Sequence, residues 1–204
     1  MTSKLVMGKG LNDASYPVSK KGYRKGKRVV LWQCPYYVKW HSMLRRCYSS
    51  YTHNKQPTYR ECYVEEDWLV FSNFKSWMEK QEWDGNHLDK DLLSEGNKVY
   101  SASNCRFIHP LINKFILGIE KPRTGKLIGA GLTAREGKYA STCRNPFTGK
   151  AEFLGYFITE KEAHHRWFDC KMKFAHELVE RGYALGDEDV EKALIAKIEA
   201  KKTY

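Results

Sequence analysis

Side chains able to perform metal-assisted hydrolysis gather between residues 87 and 113, and they are His87, Asp89, Asn104 and Asn113. Mg²⁺ prefers oxygen ligands and takes only one or two of them from a protein. An Asp on a strand and an Asn on a following helix meet that demand. Such a metal, with a base that activates water, can hydrolyse a phosphodiester.

The elements that must position these side chains follow from the apolar pattern of residues 87–118. Two short apolar runs flank a turn rich in Gly and Asn, and a short helix follows. This order predicts a β-hairpin packed on a helix, with the acid and amide groups at one end. Because alternate residues of a strand share a face, we expect His87, Asp89 and Asp91 on one face and Lys90 on the other.

The segment resembles the ββα-metal core of HNH endonucleases, especially the free-standing and homing type of bacteriophages. The resemblance implies that Asp89 and Asn113 hold Mg²⁺ or Mn²⁺ and that Asn104 orients the catalytic strand. The nine-residue step from Asn104 to Asn113 matches the family. The stretch from Asp89 to Asn104 is slightly longer than in the family.

Lys90 stands where that family has the His that activates water. An ordinary lysine has a pKa of roughly 10.4, so it is protonated near neutral pH and cannot accept a proton. A protonated Lys90 would instead stabilise the transition-state phosphate, leaving His87 or a metal-bound hydroxide as the base. The alternative is a polar hairpin without chemistry, in which Asn104 caps a turn and Asp91 pairs with Lys98.

The net charge of +11 is unevenly spread. Residues 1–48 carry eleven Lys and Arg against one acid, and residues 121–150 carry seven against one. Residues 60–95 between them carry ten acids against four bases. An acidic segment between two basic ones suits a metal site flanked by surfaces that bind a polyanion, here double-stranded DNA. RNA is a less favoured partner, because no known RNA-binding motif is present.

The first part of the chain is predicted to be a basic N-terminal arm, residues 1–36, followed by the HNH-like domain, residues 37–118. Glycines interrupt any periodicity in the arm, which we expect to become ordered on nucleic acid. Two amphipathic helices, one from Tyr37 and one from about Glu65 to Gln81, are predicted to pack against the hairpin through aromatic stripes.

A linker at residues 119–127 precedes a second domain at residues 128–204. Two predicted strands in this domain lead to a long helix that begins at the capping box Thr159–Glu162. A last amphipathic helix is predicted from about Asp187. Residues 128–180 resemble the DNA-reading domain of plant ethylene-response factors, in which a three-stranded sheet lies against one long helix.

That resemblance implies that outward residues of the sheet contact DNA while Tyr139 and Phe153 pack on the long helix. Basic residues on the outer faces of the first helix are a second candidate DNA surface. The residues predicted to contact DNA are Arg45, Arg46, Arg135, Lys138, Ser141, Arg144 and Lys150.

The six cysteines are scattered without a Cys-x-x-Cys pair, so buried free thiols are expected and zinc is not. No segment is apolar for long enough to span a bilayer, and the first twelve residues lack the apolar block of a signal peptide. We therefore expect a cytoplasmic protein, in an infected bacterial cell if the phage resemblance holds, with no membrane partner.

Taken together, the sequence predicts an α+β fold with a ββα-metal-like core, N-terminal helices packed on it, and a three-stranded sheet with one long helix. The favoured function is a metal-dependent DNA endonuclease that nicks one strand and binds a specific sequence through its C-terminal domain. The alternative is a catalytically inactive DNA-binding protein of the same fold, acting as a repressor or as an inhibitor of a host function.

Overall fold

The computed structural model describes residues 5–117, 127–133 and 137–202. The chain forms two compact units. The first contains Met1–Trp83 and Leu88–Phe107, and the second contains Asp84–His87 and Ile108–Tyr204. The division after Phe107 comes before the predicted linker, most of which lies outside the described residues.

The secondary structure is mixed, which confirms the predicted α+β class. The α-helices of the described residues are α1 (Pro35–Tyr48), α2 (Ser50–Lys55), α3 (Glu66–Leu69), α4 (Phe71–Met78), α5 (Pro110–Leu117), α6 (Glu160–Glu180) and α7 (Glu188–Glu199). The strands are β1 (Ser19–Arg24), β2 (Lys27–Gln33), β3 (Tyr63–Val64), β4 (His87–Asp89), β5 (Val99–Tyr100), β6 (Arg106–Ile108), β7 (Ala130–Leu132), β8 (Tyr139–Arg144) and β9 (Ala151–Phe157). None of the helices described here is long and apolar enough to cross a membrane.

The core of the first unit is built from the aromatic stripes of α1, α3 and α4. Trp40 and Phe74 are fully buried, and Trp68 lies edge-on to Phe74 with 5.0 Å between ring centroids. The Trp40 indole N–H donates to the Trp68 carbonyl at 2.7 Å, so its polar edge is satisfied inside the core. The predicted packing role of these stripes is confirmed.

The helix predicted from about Glu65 to Gln81 is broken at Val70, whose backbone is extended with φ −90° and ψ 123°. The backbone of Leu11 inserts at this point. Its N–H donates to the Leu69 carbonyl at 2.8 Å, and its carbonyl accepts from the Phe71 N–H at 3.0 Å. These bonds replace helical ones, and they come from a distant segment that local periodicity cannot reveal.

A β-hairpin occupies residues 19–33 of the predicted N-terminal arm. β1 and β2 pair antiparallel, and the last pair before the turn is Arg24 opposite Lys27. The two turn residues, Lys25 and Gly26, both have positive φ, 52° and 73°. That is the geometry of a type I′ turn, whose twist matches that of the strands. The expectation of an arm without structure of its own was wrong for this part.

The strands around the predicted chemistry form two small sheets. β4 pairs with β6, as the predicted hairpin requires. The chain between them is more than a turn, because β5 pairs in parallel with β3. α5 follows β6 directly, with Pro110 at its start.

In the second unit, β7, β8 and β9 form an antiparallel sheet in that order. The long helix α6 begins as predicted: Thr159 Oγ1 accepts from the Glu162 N–H at 3.2 Å, and the Glu162 carboxylate accepts from the Thr159 N–H at 3.1 Å. Trp167, on the buried face of α6, is only 3% exposed. The predicted three-stranded sheet with one long helix is therefore present.

Candidate functional site

An exposed imidazole and a helix amide form the most reactive arrangement near the predicted site. His87 is the first residue of β4, and its Nδ1 lies 2.9 Å from Nδ2 of Asn113 on α5. Both residues belong to the second unit. The hydrogen bond fixes the ring plane of His87. The proton position follows from which way the Asn113 amide is turned.

His109 is a neighbour that the sequence analysis did not assign a role. Its Nδ1 accepts the backbone N–H of Leu111 at 3.1 Å, so Nε2 carries the proton in the neutral ring. Its ring packs against Tyr183 at 4.7 Å. Burial lowers the pKa of His109, and the nearby charge of His87 lowers it further. His109 is therefore a neutral N–H donor beside His87 at neutral pH.

Asp89, the predicted metal ligand, caps a turn with one of its oxygens. Oδ1 accepts the backbone N–H groups of Asp91 at 2.9 Å and Leu92 at 2.7 Å. These bonds fix the carboxylate, and Oδ2 makes no hydrogen bond to the described residues. Asp89 belongs to the first unit and Asn113 to the second, so a metal ion shared between them remains a prediction.

The donor set suits a hard cation. Oδ2 of Asp89 and the amide oxygen of Asn113 are the kind of ligand that Mg²⁺ accepts while keeping most of its waters. Within the described part of the chain, no three His, Cys, Asp or Glu side chains converge to hold a metal ion.

Lys90 is a buried structural residue. β4 ends at Asp89, so Lys90 follows the strand, and it is only 5% exposed. Its ammonium donates to Asp91 Oδ1 at 2.5 Å and to the Asn97 carbonyl at 2.6 Å. The Asn97 amide donates back to the Lys90 carbonyl at 2.9 Å. These bonds tie Lys90 into the turn after β4.

The predicted structural alternative is wrong in its pairing, because Asp91 bonds to Lys90 and Lys98 lies 3.4 Å from Glu61. The turn before β6 is capped by a serine: Ser101 Oγ accepts the backbone N–H of Asn104 at 3.3 Å. The half-buried side chain of Asn104 thus lies beside a turn that Ser101 closes.

We expect Lys90→Ala to destabilise the first unit by about 1–3 kcal/mol, because the Asn97 carbonyl is left without its buried donor. Urea unfolding followed by tryptophan fluorescence would measure this loss. Lys98→Ala is the matched control, since its ion pair with Glu61 is exposed and its loss should cost less than about 0.5 kcal/mol. Equal effects of the two substitutions would contradict the structural role of Lys90.

The cations predicted on the C-terminal sheet are in part accessible. Lys138, Arg144 and Lys150 are exposed, and Arg144 Nη1 donates to the Gly149 carbonyl at 2.9 Å across the turn between β8 and β9. Arg135 lies outside the described residues. Ser141 was wrongly predicted to face outward: it is fully buried, and its Oγ donates to the Ala163 carbonyl of α6 at 2.7 Å.

The outer face of this sheet is aromatic rather than basic. Phe153 and Tyr156 are each 58% exposed, with 4.9 Å between their ring centroids. The prediction that Phe153 packs on the long helix is therefore wrong. The cause is a register irregularity between Ser141 and Thr142, which places Phe153 opposite the exposed Thr142.

Arg45 and Arg46, predicted on the outer faces of the first helix, have different surroundings. Arg45 is exposed. The Arg46 guanidinium lies over the Tyr100 ring at 5.3 Å and the Tyr59 ring at 5.9 Å. Its Nε is buried and has no hydrogen-bond partner among the residues that the structure describes. Arg46 is thus an internal cation of the first unit, and Arg45 is the accessible one.

All six cysteines are free and buried, as expected. Burial raises the pKa of Cys47 and of Cys105 to about 12. Thiols with such pKa values stay protonated at neutral pH and are poor nucleophiles. The cysteines therefore serve as small core residues.

The β1–β2 hairpin is a strongly charged surface that the sequence analysis treated only as an arm. The fifteen residues from Ser19 to Gln33 contain six cations and no acid. These cations are Lys20, Lys21, Arg24, Lys25, Lys27 and Arg28, and all are exposed. We call this element the basic hairpin. The signal for it was the Lys25-Gly26 pair between β-forming residues.

Comparison with protein-family models, curated proteins and solved structures gave no match to this chain.

Proposed function

We propose that this protein is a divalent-metal-dependent DNA endonuclease that nicks one strand of a duplex. The observation that carries the proposal is the exposed imidazole of His87, held at 2.9 Å by Asn113 and two residues before Asp89 on the same strand. A base of this kind beside a fixed carboxylate suits hydrolysis of a phosphodiester.

His87 can act as a base in one of its two tautomers. When the Asn113 amide turns its oxygen toward the ring, it accepts the Nδ1 proton, and Nε2 keeps a free lone pair. That lone pair can remove a proton from the attacking water. The neutral His109 offers an N–H group that can donate to a phosphate oxygen. Lys90, tied to Asp91 and Asn97, takes no part in proton transfer.

Bound Mg²⁺ or Mn²⁺ would stabilise the negative charge that develops on the phosphate. Asp89 through Oδ2 and Asn113 through its amide oxygen are the residues that would hold it.

The basic hairpin supports duplex DNA as the substrate. The major groove of B-DNA admits a two-stranded β-ribbon, and a ribbon with six cations and no acid is attracted to phosphates from either edge. The exposed cations Lys138, Arg144 and Lys150 give the second unit its own contact surface. Two such surfaces suit a protein that must hold DNA while one strand is cut.

A second candidate function is a non-catalytic DNA-binding protein that acts as a repressor or as an inhibitor of a host function. The observation that favours it is the burial of Lys90, a structural lysine at the position where the HNH family has its catalytic base. In that case the basic hairpin and the C-terminal sheet would bind DNA without hydrolysis.

The test that separates the two is incubation of the protein with supercoiled plasmid, with and without Mg²⁺. Conversion to the open-circular form only with Mg²⁺ supports the endonuclease. A gel shift of linear duplex without any cleavage at high protein concentration supports the non-catalytic protein. Absence of both binding and cleavage would contradict both proposals.

We expect the double variant Arg24→Gln, Lys27→Gln at the tip of the basic hairpin to weaken DNA binding. If each cation contacts one phosphate, the slope of log K against log salt should fall by about 0.9 per charge. Fluorescence anisotropy with a labelled duplex at several salt concentrations would measure it. Lys80→Gln, an exposed lysine in the acidic segment, is the control, and an equal loss there would contradict a specific role of the hairpin.

A further inference from the structure

A buried lysine without a carboxylate partner lies in the second unit. Lys171 on α6 is only 4% exposed, and its ammonium lies 3.9 Å from the centroid of the Phe115 ring. Burial lowers its pKa. The thiols of Cys143 and Cys170 oppose that shift, and the charge of Arg144 adds to it. Among the described residues, the only direct partner of this ammonium is the aromatic ring.

Lys171 lines a cavity of about 320 Å³ between α5, α6 and the sheet. Aromatic and small residues form much of the wall, including Phe115, Trp167 and Gly129. Lys114 and Arg144 also line it, and both are exposed. The volume is at the small end of the range for ligand pockets, about 300–1,000 Å³.

Keeping this charge inside the unit is costly. Taking an ammonium out of water without a counter-ion is strongly unfavourable, and a cation–π contact offsets only part of that cost. A methionine of similar length would fill the same space without that cost. The cavity beside the ammonium leaves room for an anion, and such an anion would be the missing partner of the charge.

We propose that this cavity binds a small anion with a flat apolar body, such as an aromatic phosphate or carboxylate. Lys171 pairs with the anionic group, and Phe115 and Trp167 contact the apolar body. Lys114 and Arg144 attract the anion toward the cavity. None of the groups assigned to DNA cleavage lines this site, and Arg144 is the one residue that it shares with the proposed DNA-binding surface, so the site stands independently of the proposed nuclease function.

The test uses three probes on the full chain: phenyl phosphate, benzoate and inorganic phosphate, each titrated by calorimetry. We expect the aromatic anions to bind more tightly than inorganic phosphate, and the stronger of the two identifies the anionic group.

Lys171→Met should weaken binding of the preferred probe by roughly tenfold to a hundredfold, the value of a charge-assisted hydrogen bond. The same variant should unfold at a higher temperature than the wild type, because an uncompensated charge is removed from the interior. A purely structural lysine would give the opposite stability change. Lys173→Met, an exposed lysine on the same helix, should change neither quantity.

Ala140→Leu offers a second variant that narrows the cavity and keeps the charge, and it should also weaken the aromatic probes. The proposal is overturned if the wild type binds neither aromatic anion at millimolar concentration. It is equally overturned if Lys171→Met binds them unchanged, or if inorganic phosphate binds as tightly as phenyl phosphate. Lower stability of Lys171→Met would assign the lysine to the fold instead.

Discussion

Replacing His87 with alanine should lower Mg²⁺-dependent nicking of supercoiled plasmid by about 10²–10⁴-fold, the usual contribution of a general base. DNA affinity should stay nearly unchanged, because His87 is a single exposed ring at one end of β4 and the cations proposed to bind phosphates lie elsewhere. Single-turnover cleavage and anisotropy on the same preparations would measure the two quantities separately.

The neighbouring residues supply the controls for this variant. Asn113→Ala should lower nicking too, since it removes both the bond that orients His87 and the proposed metal ligand. His176→Ala removes an exposed imidazole from α6 and should leave nicking unchanged. Full activity of His87→Ala would exclude His87 as the base. Equal loss of binding and cleavage would show that His87 holds the local fold instead.

Local sequence patterns predicted the order of strands and helices near the site. They did not predict which side chains and backbone groups hydrogen-bond to one another. Burial alternates along this segment, with His87 exposed, Leu88 buried, Asp89 half-buried and Lys90 buried, as the side-chain period of two in a strand predicts, although β4 itself ends at Asp89. The hydrogen bonds of Lys90 to Asp91 and Asn97 depend on a turn conformation that spacing does not specify. The sequence therefore identified Lys90 as anomalous without revealing that it is structural.

In the second unit, too, local sequence patterns predicted some features and missed others. The capping box at Thr159 and the start of α6 were predictable, because both depend on residues close in sequence. The exposed face of β9 was not, since the register irregularity opposite Ser141 and Thr142 has no signal in local alternation. Ser141 is a different case, because β8 alternates regularly: Ser141 and Cys143 are buried, and Thr142 and Arg144 are exposed.

The remaining differences between the sequence-based predictions and the structure come from contacts between segments that are distant in the chain. The break at Val70 exists because Leu11 offers its backbone groups to the two flanking helices. The cavity beside Lys171 likewise exists only because α5, α6 and the sheet meet around it. Neither feature has a local signal in the sequence.

Replacing Gly129 with alanine should unfold the second unit or cost it more than about 4 kcal/mol, a loss typical of severe core disruption. Gly129 has φ +77°, which L-residues with a side chain rarely adopt. A Cβ there would lie 2.0 Å from Cγ and 2.4 Å from Cβ of Trp167, so flexible side-chain ends cannot relieve the overlap.

Gly129→Ala should destabilise more than the contact with Trp167, because residues 128 and 129 connect the sheet to α6. The Gly129 carbonyl accepts from the Thr142 N–H at 3.2 Å, and the neighbouring Ile128 carbonyl lies 2.8 Å from Nδ1 of the buried His164. Displacing Trp167 would strain both bonds.

Gly149→Ala is the matched control: its φ is +69°, but its added Cβ would meet no atom within 4 Å. We expect that variant to lose only about 1 kcal/mol from backbone strain. Thermal unfolding by circular dichroism would rank the three proteins, and similar stability of the two variants would show that Trp167 can move aside at little cost.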